Sequence, residues 1–125
     1  MMSSYVKANE QLILEIYTGD LKASGAFYQS FGFEVVREES NFLVLRWEQS
    51  MLFLEEVKDC PPHDRQVGNI RIMVSDVDHY WELCLKLKAH VIRPIEDRYY
   101  GLRDFTVAGP DGIGLRFATR LPDSH

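Results

Sequence analysis

Residues 13–21 read ILEIYTGDL, and residues 69–77 read NIRIMVSDV. Each is a short β-favouring stretch that ends in an aspartate followed by an aliphatic residue, and the two lie 56 positions apart. A helical spacing of apolar residues follows each aspartate. In the first copy these are Leu21, Ala23, Ala26, Phe27 and Phe31; in the second, Val77, Tyr80, Trp81, Cys84, Leu85 and Leu87. Asp20 and Asp76 sit where a side-chain oxygen accepts a bond from a free amide of the first helical turn. Gly32 is a natural stop for the first helix, because glycine takes the left-handed cap conformation without strain. Strand-like residues come next, at about 33–38, 41–47 and 51–57 in the first copy and 90–95, 103–108 and 113–119 in the second. Gly109-Pro110-Asp111-Gly112 is a strong turn between the last two strands, and Glu48-Gln49-Ser50 a weaker one at the matching place. Both halves therefore read β-α-β-β-β. Residues 58–66, KDCPPHDRQ, form the linker, since Pro61-Pro62 continues neither helix nor strand. Neither half is expected to bury its sheet face alone. The expectation is a single α+β domain over residues 1–125, with module 1 at about 11–57 and module 2 at about 67–119.

Composition fits that size. The chain has 125 residues, the length of one domain with a real core. Hydrophobic residues make up 46% and charged residues 26%, which excludes a disordered chain. Fourteen Lys and Arg against 19 Asp and Glu give a net charge of −5. Such a surface repels phosphate backbones and disfavours nucleic acid as a partner. It attracts cationic small molecules weakly, in a salt-dependent way. Cys60 and Cys84 form neither a zinc spacing nor a disulfide framework, and a reducing cytoplasm fits them best. The longest apolar runs are about five residues, against the roughly 20 that span a bilayer. The opening MMSSYVKANEQ lacks the apolar core of a signal peptide. A cytoplasmic protein with no membrane partner is expected.

Two segments carry a resemblance: DLKASGAFYQSFGF at 20–33, and YGLRDFTVAGPDGIGLRF at 100–117, in which Gly-x-x-x-Phe precedes a Pro-Asp-Gly turn. Together with the paired units, they make residues 11 to 119 resemble the vicinal oxygen chelate superfamily of glyoxalase I, extradiol dioxygenases, fosfomycin-resistance enzymes and bleomycin-resistance proteins. The chain is closest in character to the bleomycin-resistance type. The resemblance implies the glyoxalase/bleomycin-resistance fold, two paired βαβββ modules forming a cupped mixed sheet. Metal enzymes of the superfamily hold one divalent ion between the halves with His and Glu. Carried onto this sequence, those places fall on Ile13, Phe53, Asn69 and Arg116, and a slip at the second brings in Glu55. Ile13 and Phe53 have no donor atom, Arg116 is a permanent cation, and a lone asparagine carbonyl does not hold a transition metal. His63, His79, His90 and His125 read as solvated surface side chains. The resemblance to the non-metal members therefore implies no metal and no cofactor.

Alternation along a strand then sorts the faces. If Ile13 and Asn69 face the cup, so do Glu15, Tyr17, Arg71 and Met73, while Leu14, Ile16, Ile70, Ile72 and Val74 make core. Phe53, Glu55 and Arg116 complete the cup. Glu15 and Arg71 occupy matching places, where they either neutralise each other or orient a polar ligand. Tyr99, Tyr100 and Phe105 flank Gly101 in a segment that borders the ligand groove of resembling drug-binding members, and aromatic faces suit planar or cationic ligands. No GxSxG elbow or Cys/His pair marks a catalyst; Cys84 reads as buried filler, and Gly112-Ile113-Gly114 precedes no helix and is no phosphate loop. Trp47 is expected near the cup and Trp81 on the second helix. The expected function is metal-free sequestration of a cationic, aromatic, antibiotic-like small molecule by a homodimer, with residues 1–10 able to act as an exchanged arm. The alternatives are a metal-dependent lyase, isomerase or dioxygenase of the same superfamily, and an interaction domain whose cup is filled.

Overall fold

Each half builds the same five elements in the same order. The computed structural model describes residues 5–61, 63 and 65–122; His125, Pro62 of the linker and the first four residues of the N-terminal arm lie outside them. The first unit, Met1–Pro62, holds β1 (Leu14–Thr18), α1 (Leu21–Phe31), β2 (Glu34–Glu39), β3 (Phe42–Trp47) and β4 (Ser50–Glu56), preceded by one 3-10 turn at Ala8–Glu10. The second, His63–His125, holds β5 (Gly68–Met73), α2 (Val77–Leu87), β6 (Val91–Asp97), β7 (Leu102–Val107) and β8 (Ile113–Arg120). The sheets are ordered β1-β4-β3-β2 and β5-β8-β7-β6. In each, the first strand runs parallel to the last and the other pairs are antiparallel. The fold is α+β, with two four-stranded mixed sheets.

The helices start where the two aspartates stand, but their caps differ. Asp20 Oδ1 accepts from the Ala23 amide at 3.0 Å, as an N-cap should. Asp76 makes no such bond, which corrects its expected role. Instead the Val77 amide donates to Thr119 Oγ1 at 2.9 Å, and the Thr119 hydroxyl donates to the Val74 carbonyl at 2.8 Å. The first unit repeats the device with a carboxylate: the Leu21 amide donates to Glu56 Oε1 at 2.9 Å. Glu56 and Thr119 stand at matching places, each three residues beyond the position of its last strand, Phe53 or Arg116, that pairs with Glu15 or Arg71. At the other end α1 stops at Gly32, with φ 118°, and α2 at Lys88, with φ 57°. Both caps are left-handed, a conformation that glycine accepts and lysine holds under strain.

The buried face of α1 is Ser24, Gly25, Tyr28 and Phe31; Ala23 and Ala26 are exposed, so the helix is turned from the expected phase. The reason is a close approach. A Cβ at Gly25 would stand 2.7 Å from Leu43 Cδ2, and the Ser24 and Thr18 hydroxyls bond within the core at 2.7 Å. In α2, Val77 and Cys84 are buried while Leu85 and Leu87, expected inside, are exposed. Tyr80 stacks on Phe117 at 4.7 Å, and Trp81 packs edge-on against Phe105 at 5.2 Å. Ile16, Leu43, Leu45, Leu52 and Leu54 in the first sheet, and Ile72, Phe105, Val107, Leu115 and Phe117 in the second, are buried on the helix side. Each contributes about 1.5–3 kcal/mol by leaving water. Leu14, expected in the core, is 45% exposed at the start of an edge strand.

Candidate functional site

The face of each sheet turned away from its helix carries the expected site residues, one chemistry per unit. In the first unit the ladder sets Glu15 beside Phe53 and Tyr17 beside Glu55. It continues from Phe53 to Val44 and from Glu55 to Phe42. Phe42 and Phe53 meet edge to face at 5.3 Å, and Tyr17 is 63% exposed beside them. Glu15 is exposed and Glu55 half-buried, and among the described residues neither has an ion-pair partner within its unit. The remaining carboxylates on this face are neutralised: Glu34 by Arg46 and Glu39 by Arg37, both at 2.9 Å. This face therefore combines an aromatic floor with two uncompensated carboxylates. A flat cation is attracted to both features.

The second unit holds a buried acid in the matching region. Asp104 is 1% exposed. Its Oδ1 accepts from Arg98 Nε at 2.8 Å, and its Oδ2 accepts from the Tyr100 hydroxyl at 2.8 Å and from Arg116 Nη2 and Nε at 2.5 and 3.1 Å. Arg116 Nη2 also donates to the Tyr100 oxygen at 3.0 Å, with the guanidinium 5.5 Å from the ring centre. Arg98 reaches further, to Glu96 and, at 2.6 Å, to the Pro94 carbonyl. Burial by itself pushes the Asp104 carboxyl up; the bonds from Arg98, Arg116 and Tyr100 outweigh it and hold the group below the ordinary carboxylate range. Asn69 and Arg71 are exposed on this same face, with Arg71 beside Arg116 in the parallel ladder.

Of the expected residues, Glu15, Tyr17, Phe53 and Glu55 are thus brought together in one unit, and Asn69, Arg71, Tyr100 and Arg116 in the other. Tyr99 is fully exposed, packed against Tyr100 alone among the aromatic rings described. Phe105 is a correction. It is fully buried between Trp81 and Phe117 on the helix side, because alternation from Asp104 turns it inward, so it cannot wall a ligand groove. Trp47 is also misplaced by the sequence: it packs on Phe33 at 5.3 Å and lies under Gly32, on the helix side. Asp104, Arg98 and Thr106 were missed. The signal for the first was available, since a core Phe105 requires its neighbours to face the other way. A separate groove of about 610 Å³ lies beside α1, lined by Lys22, Gly25, Gln29 and Glu38, and borders none of these residues.

The residues at the four places expected to hold a metal do not fit one. Ile13 and Phe53 offer no donor, and the Arg116 guanidinium is a cation already bonded to Asp104. Among the described residues no group of three His, Cys, Asp or Glu side chains could hold an ion, and His63, His79 and His90 are all exposed. Cys84 is fully buried, and burial pushes its thiol up, away from the reactive thiolate. No helix among the described residues is long and apolar enough to cross a membrane.

Solved structures share this arrangement of strands and helices. A glyoxalase/bleomycin resistance protein/dioxygenase from Nocardioides is 18% identical with a TM-score of 0.78, over 95% of this chain and 88% of that one. A bleomycin-binding protein complexed with bleomycin is 18% identical with a TM-score of 0.69, over 89% and 98%. A lactoylglutathione lyase from Agrobacterium tumefaciens is 22% identical with a TM-score of 0.70, over 90% and 96%. Comparison with the curated proteins finds no match. A family model described as the Glyoxalase/Bleomycin resistance protein/Dioxygenase superfamily matches residues 11–117, and the chain belongs to that superfamily.

Proposed function

We propose that the protein is a metal-free binder that sequesters a cationic, aromatic, antibiotic-like small molecule in the cytoplasm without changing it. The observation that carries this reading is the pair of uncompensated carboxylates, Glu15 and Glu55, over the rings of Tyr17, Phe42 and Phe53. A cation over an aromatic face gains roughly 0.5–2 kcal/mol, more as water is excluded. Apolar burial adds about 25 cal/mol per Å², less the cost of ordering the ligand. The bleomycin-bound neighbour lends the analogy of a ligand class, on the same fold. The metal-dependent alternatives would need donor atoms that Ile13, Phe53 and Arg116 do not have.

The working form in this proposal is one folded domain per chain, paired as a homodimer that covers open sheet edges. Tyr99 and Tyr100 would border the bound ligand. Calorimetric titration of bleomycin-like glycopeptides and cationic intercalators, with neutral aromatic controls, tests the reading. The cationic set should bind in the micromolar range, and binding should weaken with added salt and in Glu15→Gln. Equal binding of neutral controls, or one equivalent of nickel, zinc, iron or manganese in untagged protein purified without chelator, overturns it. Light scattering that shows only monomer at micromolar concentration removes the dimer.

A further inference from the structure

We infer that the open face of the second unit is an oxyanion site, which takes the carboxylate or phosphate group of a small-molecule ligand. The inference deepens the ligand-binding reading above and rests on it. Its basis is one row across the sheet. Arg71 on β5 pairs with Arg116 on β8, Arg116 with Thr106 on β7, and Thr106 with Arg93 on β6. Strands stand about 4.8 Å apart, so the row spans roughly 14 Å, within reach of three guanidinium groups converging on one small anion. Arg71 and Arg93 are exposed, and among the described residues neither has an ion-pair partner within its unit. Arg116 spends Nε and Nη2 on Asp104 and Tyr100, which fixes its plane and leaves Nη1 without a bond among the described residues. A fixed, fork-shaped donor next to free arginines is the arrangement that recognises planar or tetrahedral oxyanions.

The second observation is independent of charge. Thr106 is 2% exposed, and among the described residues its hydroxyl has no hydrogen-bond partner. A buried hydroxyl without a partner is disfavoured unless something supplies one. Alternation from the core residues Phe105 and Val107 turns Thr106 toward the arginine face. What lies beside it is the exposed Asn69 side chain. A Cβ at Gly114 would collide with Asn69 Oδ1 and stand 3.1 Å from Thr106 Cγ2, so the bare glycine leaves room that a single movable carboxamide fills. The Thr106 atom nearest that space is the methyl Cγ2, so an anion that displaces Asn69 gains the hydroxyl as a further donor when the Thr106 side chain turns about χ1.

The experiment is an amide NMR titration of the full chain at low salt with phenyl phosphate and benzoate, and separately with phenyltrimethylammonium. The anions should shift amides of β5, β7 and β8, and the cation those of β1, β3 and β4. Arg71→Gln and Arg93→Gln should each weaken anion binding about fivefold and leave cation binding unchanged. Thr106→Val removes only an unpartnered hydroxyl. It should therefore melt no lower than the parent without ligand, and bind the anions about fivefold more weakly. Anion shifts outside the second unit, no anion shifts at all, or unchanged anion affinity in the arginine variants overturns the inference. So does a Thr106→Val protein that is destabilised without ligand. Loss of cation binding with anion binding intact defeats the sequestration reading and leaves the oxyanion site standing. Preference for phenyl phosphate over benzoate beyond their charge difference identifies a phosphate ligand, and the converse a carboxylate.

Discussion

The same row of the repeated sheet reads Glu15, Phe53, Val44, Arg37 in the first unit and Arg71, Arg116, Thr106, Arg93 in the second. The next row reads Tyr17, Glu55, Phe42, Glu39 against Met73, Ala118, Asp104, Glu96. Strand order and pairing direction are the same in both, though β2–β3 shifts register once and β6–β7 twice, and each helix is started by a side-chain bond from the last strand. The chemistry on the open faces is opposite: aromatic and acidic in one copy, cationic around a buried acid in the other. A duplicated frame thus fixes where a side chain points and leaves its type free. Each open face is thereby free to carry a charge of its own.

The largest effect should come from the place where the copies differ most, Phe42 against Asp104. Asp104 is the shared acceptor for Arg98, Arg116 and Tyr100. Asp104→Asn leaves part-buried Arg116 without its counter-ion and Arg98 with Glu96 alone, and removing one partner of a buried pair costs about 3–5 kcal/mol. Phe42 is half-buried, and Phe42→Leu, which keeps apolar contact, should cost about 1 kcal/mol. Urea unfolding of both variants makes the comparison, and equal losses would mean that the buried acid is not what holds the second face. The acid also sets a pH signature. Its carboxyl is held below the unfolded value, so its contribution is fully present above the ordinary carboxylate range and is lost as pH falls through the depressed folded value. The stability gap between parent and Asp104→Asn should therefore close on acidification. A constant gap would show that the carboxylate's charge contributes nothing.

Much of the frame is readable without coordinates. The strict alternation of Glu15 and Tyr17 with Ile16 and Thr18 marks one inward and one outward face, and both aspartates mark helix starts. What could not be read has identifiable causes. The α1 phase was hidden because its contact face is built from Ser24 and Gly25, which pattern reading scores as polar or neutral. Phe105 was assigned to a ligand because an aromatic beside a glycine turn looks like groove lining, whereas the β7–β8 register decides its face. The arginine row needed the β6–β7 register, which shifts at two irregularities between Val91 and Glu96, and nothing local in the sequence specifies those shifts.

The two helices exchange large and small residues, and this gives the next effect. Gly25 and Tyr28 in α1 stand where Trp81 and Cys84 stand in α2. The first helix therefore sits close at its second turn and fills the core one turn later; the second does the reverse. Trp81→Ala removes the ring that packs on Phe105 and should cost about 3 kcal/mol. Gly25→Ala pushes a methyl toward Leu43, an overpacking of about 1–3 kcal/mol that alanine's better helix propensity offsets by about 1 kcal/mol. Thermal unfolding should thus rank Trp81→Ala well below Gly25→Ala. A Gly25→Ala protein more stable than the parent would show that the close approach is slack.

The smallest effect probes the bonds that tie each helix start to its last strand, where the copies differ in the accepting group. Thr119 accepts from the Val77 amide and donates to the Val74 carbonyl, so its single hydroxyl ties the helix start to the end of β5. Thr119→Val keeps the shape, breaks both bonds, and leaves a part-buried amide without an acceptor, a loss of about 1–2 kcal/mol. Glu56 makes one bond, to the Leu21 amide, and does so in an exposed setting. Its charge favours the positive end of the α1 dipole, but water and salt screen it, so Glu56→Gln, which keeps an accepting oxygen, should cost about 0.3–0.5 kcal/mol. The ordering should survive 1 M salt, because the threonine cap is neutral, and the glutamate difference should shrink there toward zero. If salt instead reduces the Thr119→Val loss while Glu56→Gln is unaffected, the parallel between the two caps fails, and the helices do not share one way of starting.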